Sequence, residues 1–181
     1  MSNIAMQGGA TGTGTVTLLA PVTNTNRTIN LPDSNGTIVT SATAGVPING
    51  PAFSAYQSSA QSVAASTFTK VLFQTEDFDT NSNFASSTFT PTVAGYYQIS
   101  AAVLPSSTTS QTLISIYKNG AVFKSVNLNG TNLSSTVSSL VSVNGSTDYV
   151  EIYIYIAGVT PAITASVQYT WFNGCMVRSA V

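Results

Sequence analysis

Half of the chain's six acidic residues lie in one short stretch, and this stretch is the first candidate for chemistry. Glu76, Asp77 and Asp79 stand close together in QTEDFDTN. Calcium binds several carboxylate and carbonyl oxygens at once, so the cluster is a candidate calcium site. The stretch lacks the D-x-[DN]-x-[DN]-G order of an EF-hand loop, and a solvated turn with a negative cap explains the same residues. We therefore expect no cofactor, with calcium at this cluster as the one alternative.

Residues suited to catalysis are scarce. The chain has no histidine, which excludes Ser–His and Cys–His nucleophile pairs. Its single cysteine, Cys175, lies in an apolar segment, where we expect an unreactive thiol. A glycosidase needs two carboxylates roughly 5–10 Å apart, and Asp148 and Glu151 are candidates, but no partner for Glu151 is evident in the sequence. We therefore predict that the protein is not an enzyme.

Tyrosines are the residues best placed to contact a ligand. In YVEIYIYIAG, aliphatic residues alternate with Tyr149, Glu151, Tyr153 and Tyr155. Because successive side chains of a strand point to opposite faces, these tyrosines share one face at intervals of about 6–7 Å. We predict that Tyr149, Tyr153 and Tyr155, with Tyr117 nearby, form a ligand-binding face, since aromatic rings with polar rims stack on sugars. The same tyrosines would also serve to cover a sheet or to contact a neighbouring protein.

The elements that position these residues are β-strands. Alternation with a period of two residues recurs along the chain, and helical periodicity is nearly absent. TLISIYKNGAVFKSV predicts two strands joined at Asn119-Gly120, a pair that tolerates the positive φ angles of a type I′ turn. Strands spaced by about 8–12 residues are typical of a β-sandwich. The sequence thus predicts an all-β fold.

Composition narrows the range of partners. Charged residues make up 6% of the 181 residues and the net charge is −1, so we expect no binding to nucleic acid or to an anionic membrane. The N-terminus has no secretory signal and no run of about 18 apolar residues occurs, which predicts a protein made in a cytoplasm without membrane insertion. So weakly charged a surface favours burial against further copies of the chain.

Pro and Gly residues suggest where the chain divides. Residues 1–45 contain short strand-like segments that are too few to bury a stable core alone, so they need a partner surface. The Pro- and Gly-rich residues 46–50 read as a linker. We therefore predict a small β-rich attachment segment at 1–45, a linker at 46–50 and a head domain at 51–181.

The head domain resembles the C1q-like family. The matching segments are PAFSA at 51–55, FTPTVAGYYQISAAV at 89–103, ISIYKNG at 114–120 and TWFNGCMV at 170–177, in the family's order. Two departures affect local packing: a serine-rich strand at 134–143, and Cys175 where the family prefers an aromatic residue.

The resemblance implies an all-β, ten-stranded jelly-roll sandwich of the C1q/TNF type that assembles as a homotrimer and acts as a binding module. It also places the tyrosine strand in the outward sheet. In GYYQISAAV, one face carries Tyr97, Ile99, Ala101 and Val103, while Tyr96, Gln98 and Ser100 share the other. We predict that this second face lies in the trimer interface.

The first segment resembles a short module found near the start of bacteriophage virion proteins, particularly tail-fibre components. Asn26-Arg27-Thr28, Leu31-Pro32-Asp33 and Gly36-Thr37 carry the match. The two resemblances together imply a trimeric short tail fibre or fibre tip, made in the host cytoplasm and present in the virion. Its partners would be other virion proteins, through residues 1–45, and a host-surface glycan or protein. The alternatives are a capsid head fibre or decoration protein, and a cellular C1q-like binding module.

Overall fold

The computed structural model describes residues 50–106, 108–130 and 133–180, and the structural statements below refer to these residues. They form thirteen β-strands and no helix. The described part of the chain therefore has no helix long and apolar enough to cross a membrane. The predicted attachment segment, residues 1–45, and nearly all of the linker lie outside the described residues. The strands are β1 (Ala52–Gln57), β2 (Gln61–Ser62), β3 (Thr69–Lys70), β4 (Thr75–Asp79), β5 (Phe84–Ala85), β6 (Thr88–Phe89), β7 (Gly95–Val103), β8 (Thr109–Lys118), β9 (Ala121–Asn129), β10 (Ser135–Val143), β11 (Val150–Gly158), β12 (Ala162–Ile163) and β13 (Ser166–Ser179).

Two antiparallel sheets form the layers of a sandwich. Sheet 1 has the strand order β10-β7-β13-β1-β4. Sheet 2 has the order β5-β6-β11-β8-β9, with β3 also paired to β11. A further two-stranded sheet joins β12 to β2. The all-β sandwich predicted from the sequence is confirmed.

The core lies between the inner faces of sheets 1 and 2, and the alternating patterns locate it correctly. The even-numbered residues of β11 from 150 to 156 and the odd-numbered residues of β7 from 97 to 103 are all fully buried. Phe53 stacks on Phe89 with a distance of 4.3 Å between ring centroids, and Phe172 meets Phe53 edge-on at 4.8 Å. Tyr97 places its ring in the core and donates its hydroxyl to the Val93 carbonyl at 2.8 Å, and burial raises the pKa of Tyr97 to about 12.

The predicted β8–β9 hairpin is also confirmed. Asn119 and Gly120 have φ angles of 53° and 77°, as a two-residue type I′ turn requires. The register pairs Ser115 with Ser125 and Ile116 with Lys124, and a bulge follows before Tyr117 pairs with Val122. β9 stands last in the strand order and so forms one edge of sheet 2.

The strand count exceeds the expected ten because five of the strands have only two residues. Four of these short strands fall between residues 61 and 89. The β5–β6 turn is built by Ser86 and Ser87, both with positive φ angles of 50° and 60°. Ser87 is buried, and its hydroxyl oxygen accepts the Phe73 backbone N–H at 2.7 Å. This contact anchors a turn conformation that serine seldom adopts.

Gly174 lies on β13 of sheet 1 between β7 and β1, where no side chain fits. A Cβ atom built at this position would lie 2.7 Å from Ile99 Cδ1 and 2.9 Å from Phe53 Cε1. We expect Gly174→Ala to lower the free energy of unfolding by about 1–3 kcal/mol, the usual cost of overpacking a core. Urea denaturation measures this loss. The control is Cys175→Ala at the exposed neighbouring position, which we expect to change stability by less than about 0.5 kcal/mol. Equal stability of the two variants would contradict the packing seen here.

Candidate functional site

Five aromatic side chains gather on the outer face of sheet 2, and we call them the aromatic patch: Phe68, Tyr117, Tyr149, Tyr153 and Tyr155. The Tyr117 and Tyr153 rings stack with 4.0 Å between centroids. Phe68 lies 5.5 Å from Tyr155 and 6.2 Å from Tyr117, and is 40% exposed. The structure thus brings Tyr117 to Tyr153 as expected and adds Phe68, a residue that the sequence analysis missed. Ligand binding by the patch stays a prediction.

A half-buried ion pair adjoins the patch. Lys70 Nζ lies 2.6 Å from Glu151 Oε1, and the side chains are 26% and 12% exposed. The Thr88 hydroxyl accepts from Lys70 Nζ at 2.6 Å and donates to Glu151 Oε1 at 3.0 Å. The expectation that Glu151 has no partner is therefore wrong. Lys70 reaches it because β3 pairs with β11 and places Lys70 beside Tyr153.

The ion pair and the aromatic patch occupy neighbouring rows of paired residues across sheet 2. Glu151 lies between Tyr117 of β8 and Thr88 of β6, while Tyr153 lies between Ser115 and Lys70. Burial raises the pKa of Tyr117, and burial followed by the charge of Glu151 raises the pKa of Tyr153. Both hydroxyls are therefore protonated at neutral pH and available as hydrogen-bond donors.

Asp148 fixes the end of the patch that carries Tyr149. Its carboxylate accepts hydrogen bonds from Asn119 Nδ2 at 2.7 Å, from the Asn144 backbone N–H at 3.0 Å and from Lys118 Nζ at 3.0 Å. Asn119 Oδ1 in turn accepts the Tyr149 backbone N–H at 2.9 Å. These bonds tie the β8–β9 turn to the loop before β11, and they lower the pKa of Asp148, with the Asn119 bond as the largest cause.

The lowered pKa of Asp148 predicts a pH-dependent contribution to stability. A carboxyl whose pKa is lower in the folded state stabilises the fold above its unfolded pKa of about 4, and this contribution disappears as the pH falls through the folded value. We therefore expect Asp148→Asn to be less stable than the wild type at pH 7. In urea titrations the difference should shrink steadily below pH 4, because both proteins then lack the charge. A difference that stays constant down to pH 2 would contradict this role.

The predicted trimer-interface residues lie on the outer face of sheet 1. Tyr96 is 47% exposed, whereas Gln98 and Ser100 are half-buried and both hydrogen-bond to Ser138, at 2.7 and 2.8 Å. Leu140 on this face is 55% exposed, and Tyr96, Leu140 and Val177 line a groove of about 480 Å³. We call this surface, with Phe78 on β4, the sheet 1 face. Its polar centre and apolar ends suit a protein contact, but the trimer itself stays a prediction.

The three carboxylates of the acidic stretch do not form a group that could hold a metal ion. Asp77 accepts from the Ser54 hydroxyl at 2.8 Å, and Asp79 accepts the Phe84 backbone N–H at 2.7 Å. The β1–β4 register shifts at this point, and Asp77 falls outside the ladder of paired residues. Across the described ranges, no group of three or more potential metal ligands is found. Glu76, Asp77 and Asp79 therefore serve as exposed or turn-stabilising carboxylates in this structure.

Cys175 lies in β13 but is exposed rather than packed among apolar residues, and the unreactive thiol stays a prediction. Its neighbours Phe172 and Gly174 point into the core, so the alternation of β13 turns Cys175 toward the sheet 1 face. There it lines a groove of about 340 Å³ together with Ser54, Phe78 and Gln98.

Surface loops are further candidates for receptor contact, and two of them, LPSSTTSQ at 104–111 and AGVTPAIT at 157–164, lie side by side. Pro105 and Ile163 form an isolated β-bridge, and the Ser106 backbone N–H donates to the Ala162 carbonyl at 2.9 Å. Residues 104–106 and 162–164 therefore share one end of the sandwich, whose role in binding stays a prediction.

Comparisons with known proteins identify the fold. No protein family matches the chain, and no curated protein is similar to it. Solved structures do match: murine APRIL at pH 8.0 has a TM-score of 0.59 at 14% identity and covers 71% of this chain and 100% of its own. The globular domain of zebrafish complement 1qA has a TM-score of 0.54 at 17% identity and covers 73% of this chain and 100% of its own. The chain therefore has a C1q/TNF-like jelly-roll fold.

Proposed function

We propose that the chain is a bacteriophage virion protein whose residues 51–181 form a homotrimeric, non-enzymatic head that binds the host surface. The observation that carries the proposal is that the outer faces of the two sheets differ in character. The sheet 1 face is apolar at its ends and suits contact between copies, while the aromatic patch lies on the opposite, outer face of sheet 2. One surface would join the copies and the other would bind the host, so that weak contacts with the host are multiplied by the number of copies.

In the proposed contact between copies, the surface that meets the sheet 1 face is the edge strand β9. Each β9 residue except Leu128 is exposed, including Val122 at 53% and Phe123 at 38%. A sandwich that buries such an edge on a different surface of the next copy makes a heterologous contact, and three copies joined in this way close into a ring when each is rotated by a third of a turn from the last. We propose that β9 packs on the sheet 1 face of the neighbouring copy.

Attachment and location rest on the sequence. The likeness of residues 1–45 to a phage tail-fibre module supports attachment to other virion proteins. On this proposal the protein is made in the host cytoplasm and reaches the outside as part of a particle released by lysis. We propose a short tail fibre or fibre tip, with a capsid head fibre or decoration protein of the same architecture as the alternative.

The test is to locate the protein on the particle and to block infection with the isolated head. Gold-labelled antibody against residues 51–181 is expected at the tail tip in electron micrographs. Purified head domain is expected to reduce adsorption of the phage to its host, and not to release sugars from host envelope material. Label on the capsid would favour the decoration alternative. Absence from the particle would overturn the proposal and favour a cellular binding module.

A further inference from the structure

The aromatic patch combines apolar rings with hydrogen-bonding groups of both kinds. Phe68 offers the most exposed ring, at 40%, and packs beside Tyr117 and Tyr155. The Tyr117 and Tyr153 rings support each other at 4.0 Å. Mutual contact of this kind holds the side chains upright on the sheet before any ligand arrives, so less rotamer entropy is lost on binding.

Polar groups surround these rings. Lys70 and Thr88 supply donors, and Glu151 supplies a carboxylate of which only Oε1 is engaged with Lys70 and Thr88. The Ser115 hydroxyl is fully buried and bonded to Ser125 at 2.7 Å, so the donors and acceptors beside the rings are those of Lys70, Thr88 and Glu151.

Charge limits the class of ligand. Lys70 is neutralised by Glu151 at 2.6 Å, so the patch offers no free cation to a polyanion. The whole chain has a net charge of −1, which provides no attraction for an acidic polymer. A neutral ligand with apolar C–H faces and a rim of hydroxyl groups matches both the rings and the paired donors and acceptors.

We infer that the aromatic patch binds a neutral polysaccharide, with Phe68 stacking on a sugar ring and Glu151, Lys70 and the tyrosine hydroxyls engaging sugar hydroxyls. The inference rests on the proposed host-binding function and names its ligand class. A sheet surface runs along several rows of residues, and a chain of linked sugars can follow those rows. Repeated weak contacts of this kind gain strength when several copies bind one polymer.

The experiment uses the full chain and an array of immobilised bacterial surface polysaccharides, neutral and acidic. We expect the wild type to bind at least one neutral polysaccharide. Phe68→Ala and Tyr153→Ala are expected to weaken binding about tenfold each, the value of one or two aromatic contacts. The matched control is Tyr169→Ala, since Tyr169 is 52% exposed on β13 of sheet 1. It should bind like the wild type.

Folding and oligomeric state separate a binding defect from a structural one. Each variant is compared with the wild type by circular dichroism and light scattering, and Tyr153→Phe keeps the ring if Tyr153→Ala fails to fold. Binding to acidic polysaccharides alone, or wild-type binding by Phe68→Ala, would overturn the inference. If no polysaccharide binds while the head still blocks phage adsorption, the ligand class is wrong and the proposed function stands. If the head does not block adsorption, the proposed function itself fails.

Discussion

Replacing Leu140 with aspartate is expected to leave the head folded but to convert the proposed trimer into monomers. Leu140 is 55% exposed and borders the groove that also includes Tyr96 and Val177, so the fold of a single copy does not depend on it. Burying a leucine side chain contributes about 1.5–3 kcal/mol, and a trimer contains three copies of the contact. The variant also forces an unpaired carboxylate into each interface, which adds a desolvation cost.

Light scattering after gel filtration at micromolar concentration gives the mass of each species. The matched control is Val159→Asp, because Val159 is 83% exposed in the loop that follows β11. It carries the same charge change away from the sheet 1 face and should remain a trimer. A wild-type chain that is monomeric under these conditions would remove the trimer from the proposal, and a trimeric Leu140→Asp would show that the contact lies on another surface.

The long strands of this fold are predictable because their alternation is regular and their turns use Asn-Gly. Val150 to Ile156 and Tyr97 to Val103 show which side of each strand faces the core, and the Asn119-Gly120 turn sets the β8–β9 register. The segment from residue 61 to 89 is not predictable in the same way. Its turn at Ser86 and Ser87 has positive φ angles without glycine or asparagine, and a tertiary bond from Ser87 to Phe73 holds it.

In the candidate site, too, some positions follow from local alternation, whereas others depend on the pairing of strands that are distant in sequence. Tyr149, Tyr153 and Tyr155 share a face because of local alternation alone. Phe68 and Lys70 join them only through the pairing of β3 with β11, and Lys70 is 81 residues from Glu151 in sequence. No periodicity spans such a separation. The exposure of Cys175, in contrast, follows from the inward positions of Phe172 and Gly174 and was available from alternation alone.

The ion pair that borders the aromatic patch leads to the second large effect. Lys70→Met removes the ammonium group and leaves the Glu151 carboxylate 12% exposed, with Thr88 as its remaining hydrogen-bond donor. Breaking a fully buried pair costs roughly 3–5 kcal/mol, and the 26% exposure of the Lys70 side chain reduces this penalty, so we expect a loss of about 2 kcal/mol. Urea denaturation at pH 7 measures this loss as a lower midpoint with an unchanged slope.

The double variant Lys70→Met with Glu151→Leu tests the cause of that loss. Apolar residues of similar volume replace a buried ion pair at little cost, so the double variant is expected to recover to within about 1 kcal/mol of the wild type. An additive loss from the two substitutions would instead mean that the side chains act independently.

The double variant retains the rings of the aromatic patch but lacks the charged donor and acceptor beside them. If the Lys70–Glu151 pair binds sugar hydroxyls, the double variant should fold like the wild type but bind the polysaccharide more weakly. This result would separate the role of the pair in recognition from its role in stability.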